Sequence, residues 1–106
     1  MRNKMEKPEV VYSYEDIVIK SFKEDKEVAL EMVIRAIEDY KNGEDNDLVF
    51  LRLNLSRFVT AHGYDEFERA GLKRKAIDAA LQKDAISTDK GLINQMLGVL
   101  DIKERI

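Results

Sequence analysis

The stretch Tyr64-Asp65-Glu66-Phe67-Glu68-Arg69-Ala70-Gly71-Leu72-Lys73-Arg74-Lys75-Ala76-Ile77-Asp78-Ala79-Ala80-Leu81-Gln82 decides how the rest of the chain is read. It divides into a short helical segment from Tyr64 to Ala70, a Gly71-Leu72 turn, and a second segment from Lys73 to Gln82. In the second segment Ala76, Ile77, Ala80 and Leu81 fall at helical spacing. Glycine lets the backbone reverse sharply, because without a Cβ it enters left-handed conformations freely. On this reading Leu72 plugs the angle between the helices, and Ala76, Ile77 and Ala80 let the second helix pack closely while its other face stays free. Such a helix-turn-helix lays its second helix in a major groove, with the first residues near phosphates and base edges. Lys73, Arg74 and Lys75 stand at those positions, with Gln82 and Lys83 near the DNA backbone further along. The same turn also suits three packed helices of any purpose, and a Lys-Arg-Lys run alone is more often a solvated helix start.

Working outward, the sequence predicts an all-α chain of five to six short helices. The only proline is Pro8, so nothing after it forbids helix. Residues 1–12 read as a flexible N-terminal segment, and residues 13–106 as a single helical domain with the helix-turn-helix at about 64–82. Ser13, with Asp16 three residues on, is a helix start before Ile17 and Phe22. The β-branched run Ile17-Val18-Ile19 makes a short strand the competing reading. Between Asp25 and Lys41, Ala29, Leu30, Val33, Ile37 and Tyr40 recur at gaps of three and four, forming one wide apolar face. Asn42-Gly43 ends that helix, and Asp45-Asn46-Asp47 reads as a polar turn holding the next N-cap. Leu48 to Ala61 places Leu48, Leu51, Leu55, Phe58 and Val59 on one face, and Gly63 closes it. Ser87 or Thr88 caps a last helix with Leu92, Ile93, Met96, Leu97 and Leu100 inward.

The 106 residues suit one ordinary domain and are too few for two. An apolar content of 44% beside 37% charged residues allows a core and a very soluble surface together. There is no cysteine, which removes disulfides, a thiolate nucleophile and thiolate metal ligands, and fits a cytoplasmic protein. No apolar run approaches the roughly 18 residues of a membrane span, and none follows MRNKMEKPEV, so neither membrane nor secretory signal is expected. The net charge of −3 excludes nucleic-acid binding by bulk electrostatics alone. The charge is bipolar, however. Residues 24–47 hold nine acids against three bases, whereas residues 73–83 hold four bases and the single acid Asp78.

No residue set recommends an enzyme. His62 is the only histidine, and its place at a helix end suits a carbonyl cap better than catalysis. Asp45 and Asp47 resemble half a calcium loop without its spaced ligands and closing glutamate, so no metal and no cofactor is expected. Arg52 and Arg57 interrupt an apolar helix and are expected to pair with the acidic helix before it. Val49, Val99 and Ile106 are candidates for an apolar dimer face.

Several motifs occur in a familiar order: Asp25-Lys26-Glu27-Val28-Ala29, Ala36-Ile37-Glu38, Gly43-Glu44-Asp45, and Phe50-Leu51 to Gly63. Ala70-Gly71-Leu72-Lys73-Arg74-Lys75-Ala76-Ile77 to Ala80-Leu81, Leu92-Ile93 to Met96-Leu97, and Leu100-Asp101-Ile102 follow. Over about residues 21–102 the chain resembles the addiction-module antidote proteins, antitoxins built on a lambda-repressor-like helix-turn-helix domain. The resemblance implies a homodimer that binds double-stranded operator DNA, represses its own operon and neutralises a small ribonuclease-type toxin. The chain departs from the family at Glu66-Phe67, where Leu-Ala is usual, and at Asp78 and Ala79, where polar or basic residues are common. The net negative charge, Asp78 and the acidic helix from Glu24 to Asp39 motivate the alternative, a helical protein-interaction module with a degenerate helix-turn-helix. Its acidic segment from Glu24 to Asp39 would then dock a basic partner.

Overall fold

The computed structural model describes residues 13–44, 47–82 and 88–106. The lead-in at 1–12, Asp45 and Asn46 of the polar turn, Lys83 and the alternative cap Ser87 lie outside the described residues. The described residues form α-helices and no strand: α1 (Tyr14–Glu24), α2 (Lys26–Lys41), α3 (Val49–His62), α4 (Asp65–Arg69), α5 (Arg74–Leu81) and α6 (Lys90–Val99). One cluster of buried side chains, with Phe22, Val33, Phe58, Phe67, Ile77 and Met96 among them, draws on all six.

Caps decide the boundaries. The Ser13 hydroxyl accepts from the Asp16 amide at 3.1 Å, so residues 17–19 continue a helix and the competing strand does not form. Asp25 ends α1 and starts α2, its carboxylate accepting from the Glu27 and Val28 amides at 3.0 and 3.4 Å. Such a cap holds a helix by about 1 kcal/mol. The cap of α6 is Asp89, whose carboxylate takes the Leu92 amide at 3.0 Å; Thr88 is spared and instead meets Arg52. The N-cap position of α3 is Leu48 rather than a residue of the polar turn. It holds a left-handed backbone, φ +59°, while its side chain is buried. Burial of a leucine is worth roughly 1.5–3 kcal/mol, enough to outweigh the roughly 1–2 kcal/mol cost of that backbone.

The helical periodicities locate the core, although Leu92, expected on the inner face of α6, is only half-buried and lies outside the core cluster. In α2, Ala29, Val33 and Ile37 are buried; in α3, Leu51, Leu55, Phe58 and Val59; in α6, Ile93, Met96 and Leu97. Helix α3 runs through the middle, against α1, α2 and α5, while α6 closes the far side against α4 and α5. Val49 is exposed, but Val99 and Ile106 pack on the core, and Ile106 exchanges backbone bonds with the Asn94 side chain. Of the suggested dimer-face residues only Val49 faces outward.

Two arginines of α3 are buried, and neither meets α2. Arg57, 6% exposed, is held by Glu15 of α1 through contacts of 2.8–3.1 Å from Nε and Nη2, and by the Asn54 amide oxygen at 3.4 Å. The expected partner helix was α2, the neighbour in sequence; the actual partner is α1, which packs against both α2 and α3. The hydrogen bonds from Arg57 hold the Glu15 carboxyl below its ordinary pKa. His62 does serve as a carbonyl cap, its Nε2 lying 2.8 Å from the Phe22 oxygen at the end of α1.

Candidate nucleic-acid interface

The segment that decided the sequence reading folds as helix, turn and helix. Helix α4 stops in a Schellman turn: the Leu72 amide donates to the Phe67 carbonyl and the Gly71 amide to the Glu68 carbonyl, both at 3.0 Å. Gly71 sits at φ +96°, which a side chain would resist. Leu72 packs partly buried against the core, as its place in the turn demands. Phe67 is fully buried and meets Phe58 edge-on at 6.3 Å.

Helix α5 turns only part of its surface to the core. Ile77 and Ala80 are buried and Leu81 is half-buried. Ala76 is exposed, against the expectation that it packs inward. One residue from Ile77 is about 100° of rotation, and α5 is seated on Ile77 and Ala80, which leaves Ala76 on the flank. Lys75, Ala79 and Gln82 recur at intervals of four and three and form the outermost line of the helix, all exposed.

The three bases at the start of α5 have different surroundings. Arg74 lies back over the Tyr64 ring, its guanidinium carbon 4.4 Å from the centroid, and reaches Glu68 at 3.4 Å. Lys73, at the N-cap, and Lys75 are exposed and have no ion-pair partner among the described residues. Gln82 sits at the other end of the helix, roughly 12 Å away by helical rise, and is also exposed. Thus Lys73, Lys75 and Gln82 are exposed, Arg74 is exposed but laid over Tyr64, and Lys83 lies outside the described residues.

Asp78, which in sequence stands as a bare repulsive charge, accepts a hydrogen bond from the Tyr64 hydroxyl. That bond, with burial second, raises the Tyr64 pKa above its ordinary value. Tyr64 therefore holds two side chains of α5, Arg74 over its face and Asp78 at its tip. The spacing of Arg74 and Asp78 marks them as neighbours on one helix. Their common partner became identifiable only once the Gly71 turn had brought residue 64 alongside. Among the described residues no three His, Asp or Glu side chains converge as a metal site would require. No protein-family model, curated protein or solved structure matches the chain.

Proposed function

We propose that the protein is a DNA-binding transcriptional regulator that docks α5 in the major groove of double-stranded DNA. On this proposal it acts as a homodimeric antitoxin repressing its own operon. The observation that carries the reading is the exposed outer face of α5, which begins directly after a Gly-closed turn with Lys73 and Lys75, neither with an ion-pair partner among the described residues. Lysines placed there neutralise phosphates, and each contact releases counterions, so affinity falls steeply with salt. Ala79 is small enough to let the helix approach base edges, and Gln82 has the donor and acceptor pair that reads adenine. Arg74 is ordered on Tyr64, and Asp78 has its charge partly met by the Tyr64 hydroxyl, which reduces its repulsion of phosphate. The resemblance to the antidote family supports the operon-repressing role and a basic toxin as partner.

A second reading has its own support. Helix α2 exposes Glu27, Glu31 and Glu38, a surface suited to a basic protein. An antitoxin uses both surfaces, so a protein partner and DNA are compatible. The deciding experiment is a fluorescence-anisotropy titration with the DNA upstream of the gene, at two salt concentrations, with scrambled DNA as control. Tighter binding to the upstream DNA, weakening steeply with salt, is expected. Absence of binding at low salt refutes the regulator and leaves the protein-interaction module.

A further inference from the structure

Two arginines five positions apart on α3 are almost equally buried, yet among the described residues only one has a counter-charge. Arg57 has Glu15 and Asn54. Arg52, 7% exposed, has among the described residues one long contact, 3.4 Å from Nη1 to the Thr88 hydroxyl. A guanidinium taken out of water without an anion is costly, because its five N–H donors and its charge lose hydration together. Arg52 also lines a groove of about 670 Å³ between α1, α3 and α5, within the roughly 300–1,000 Å³ typical of small-molecule sites.

The walls of that groove state what would fill it. Val49, Leu53, Val59 and Leu81 supply apolar surface, and Val49 and Leu53 are among the most exposed large apolar side chains of the described residues. Its two acids are already engaged, Glu15 by Arg57 and Asp78 by Tyr64. The charge left without a counter-ion among the described residues is positive and belongs to a buried side chain, Arg52, for which a bidentate carboxylate is the natural complement. We propose that this groove binds a small organic acid, its carboxylate on Arg52 and its aliphatic body along Val49, Leu53 and Leu81. The groove does not include the exposed lysines Lys73 and Lys75, although Gln82 at the end of α5 lies on its rim.

The test is a nitrogen-15 NMR titration of the full chain with sodium octanoate and, in parallel, with 1-octanol, which keeps the aliphatic body and lacks the carboxylate. Octanoate is expected to shift the amides of residues 49–60 and 78–82 saturably, and to bind roughly tenfold or more tightly than octanol. In Arg52→Met, which keeps the length and apolar character of the side chain, octanoate should fall to the affinity of octanol. Equal binding of the two probes to the unaltered protein overturns the proposal. So does an octanoate preference that survives Arg52→Met, or the lack of any saturable shift up to roughly 10 mM. Should Arg52→Met fail to fold, the comparison on the unaltered protein and the location of its shifts still decide the matter.

Discussion

Replacing Glu15 by alanine isolates what holds α1 to the rest of the molecule. Phe22 is the one fully buried side chain of α1, so the helix depends unusually on its polar contacts with α3. The Glu15 carboxylate meets Arg57 through three contacts of 2.8–3.1 Å, with the arginine side chain 7% and the glutamate 45% exposed. Breaking a fully buried pair costs about 3–5 kcal/mol, and an exposed pair is worth about 0–1. With one partner buried and the other half in water, Glu15→Ala should cost roughly 1.5–3 kcal/mol, a fall in melting temperature on the order of 10 °C. Arg57→Met should cost less, because it leaves a carboxylate that water can solvate instead of a stranded buried cation. The pKa of Glu15 is lower in the folded state, so its contribution is present above the unfolded value near 4.3 and is lost as pH falls through the folded value. Urea unfolding followed by circular dichroism at about pH 7 and about pH 3 should therefore show a large gap between the natural chain and Glu15→Ala that narrows in acid. A gap below about 0.5 kcal/mol at neutral pH, or one of the same size at both, refutes the reasoning.

Three further outcomes follow from particular side chains. Asp101 closes α6 in a left-handed conformation, φ +61°, while exposed; Asp101→Gly should stabilise the fold by about 0.5–1 kcal/mol in the same unfolding assay, and a loss of stability would show that its carboxylate is needed. Phe67→Ala should cost about 3–5 kcal/mol and Phe67→Leu much less, because the ring fills the space between α4 and Phe58; equal costs would contradict that packing. The Tyr64 phenol should ionise above its ordinary value in an ultraviolet pH titration, and Asp78→Ala should bring it back down. No movement in Asp78→Ala would remove the proposed link between α4 and α5.

The helical architecture was legible because its cores are local patterns. Ala29, Val33 and Ile37, or Ile93, Met96 and Leu97, declare a buried face by spacing alone, and Gly43 and Gly71 mark ends where the backbone must turn left-handed. What spacing does not carry is which distant element a side chain meets. Arg57 and Glu15 lie 42 positions apart, and the acidic helix adjoining in sequence was the natural but mistaken partner. Leu48 was recognised as core yet not as the cap of α3, since a leucine with positive φ runs against local preference and is held by tertiary burial. On α5 the same limit applies at finer scale. The periodicity marks Ala76 and Ile77 as equally apolar, and only the seating of the helix against α3 and α6 decides that Ile77 is buried and Ala76 is not. The basic cluster was visible, but the division between Arg74, folded onto Tyr64, and the outward Lys73 and Lys75 required the turn in three dimensions.

The most direct test of the regulator reading compares the natural chain with a Lys73→Ala, Lys75→Ala double variant for binding to the upstream DNA across a salt series. A Lys41→Ala, Lys103→Ala variant matches the charge change at exposed positions away from α5. Loss of two phosphate contacts should weaken binding at low salt and reduce the slope of log affinity against log salt by about 2 per protomer. The control variant should bind nearly as the natural chain does. Unchanged affinity and slope in the α5 variant, or an equal loss in both variants, would contradict α5 as the element that meets DNA.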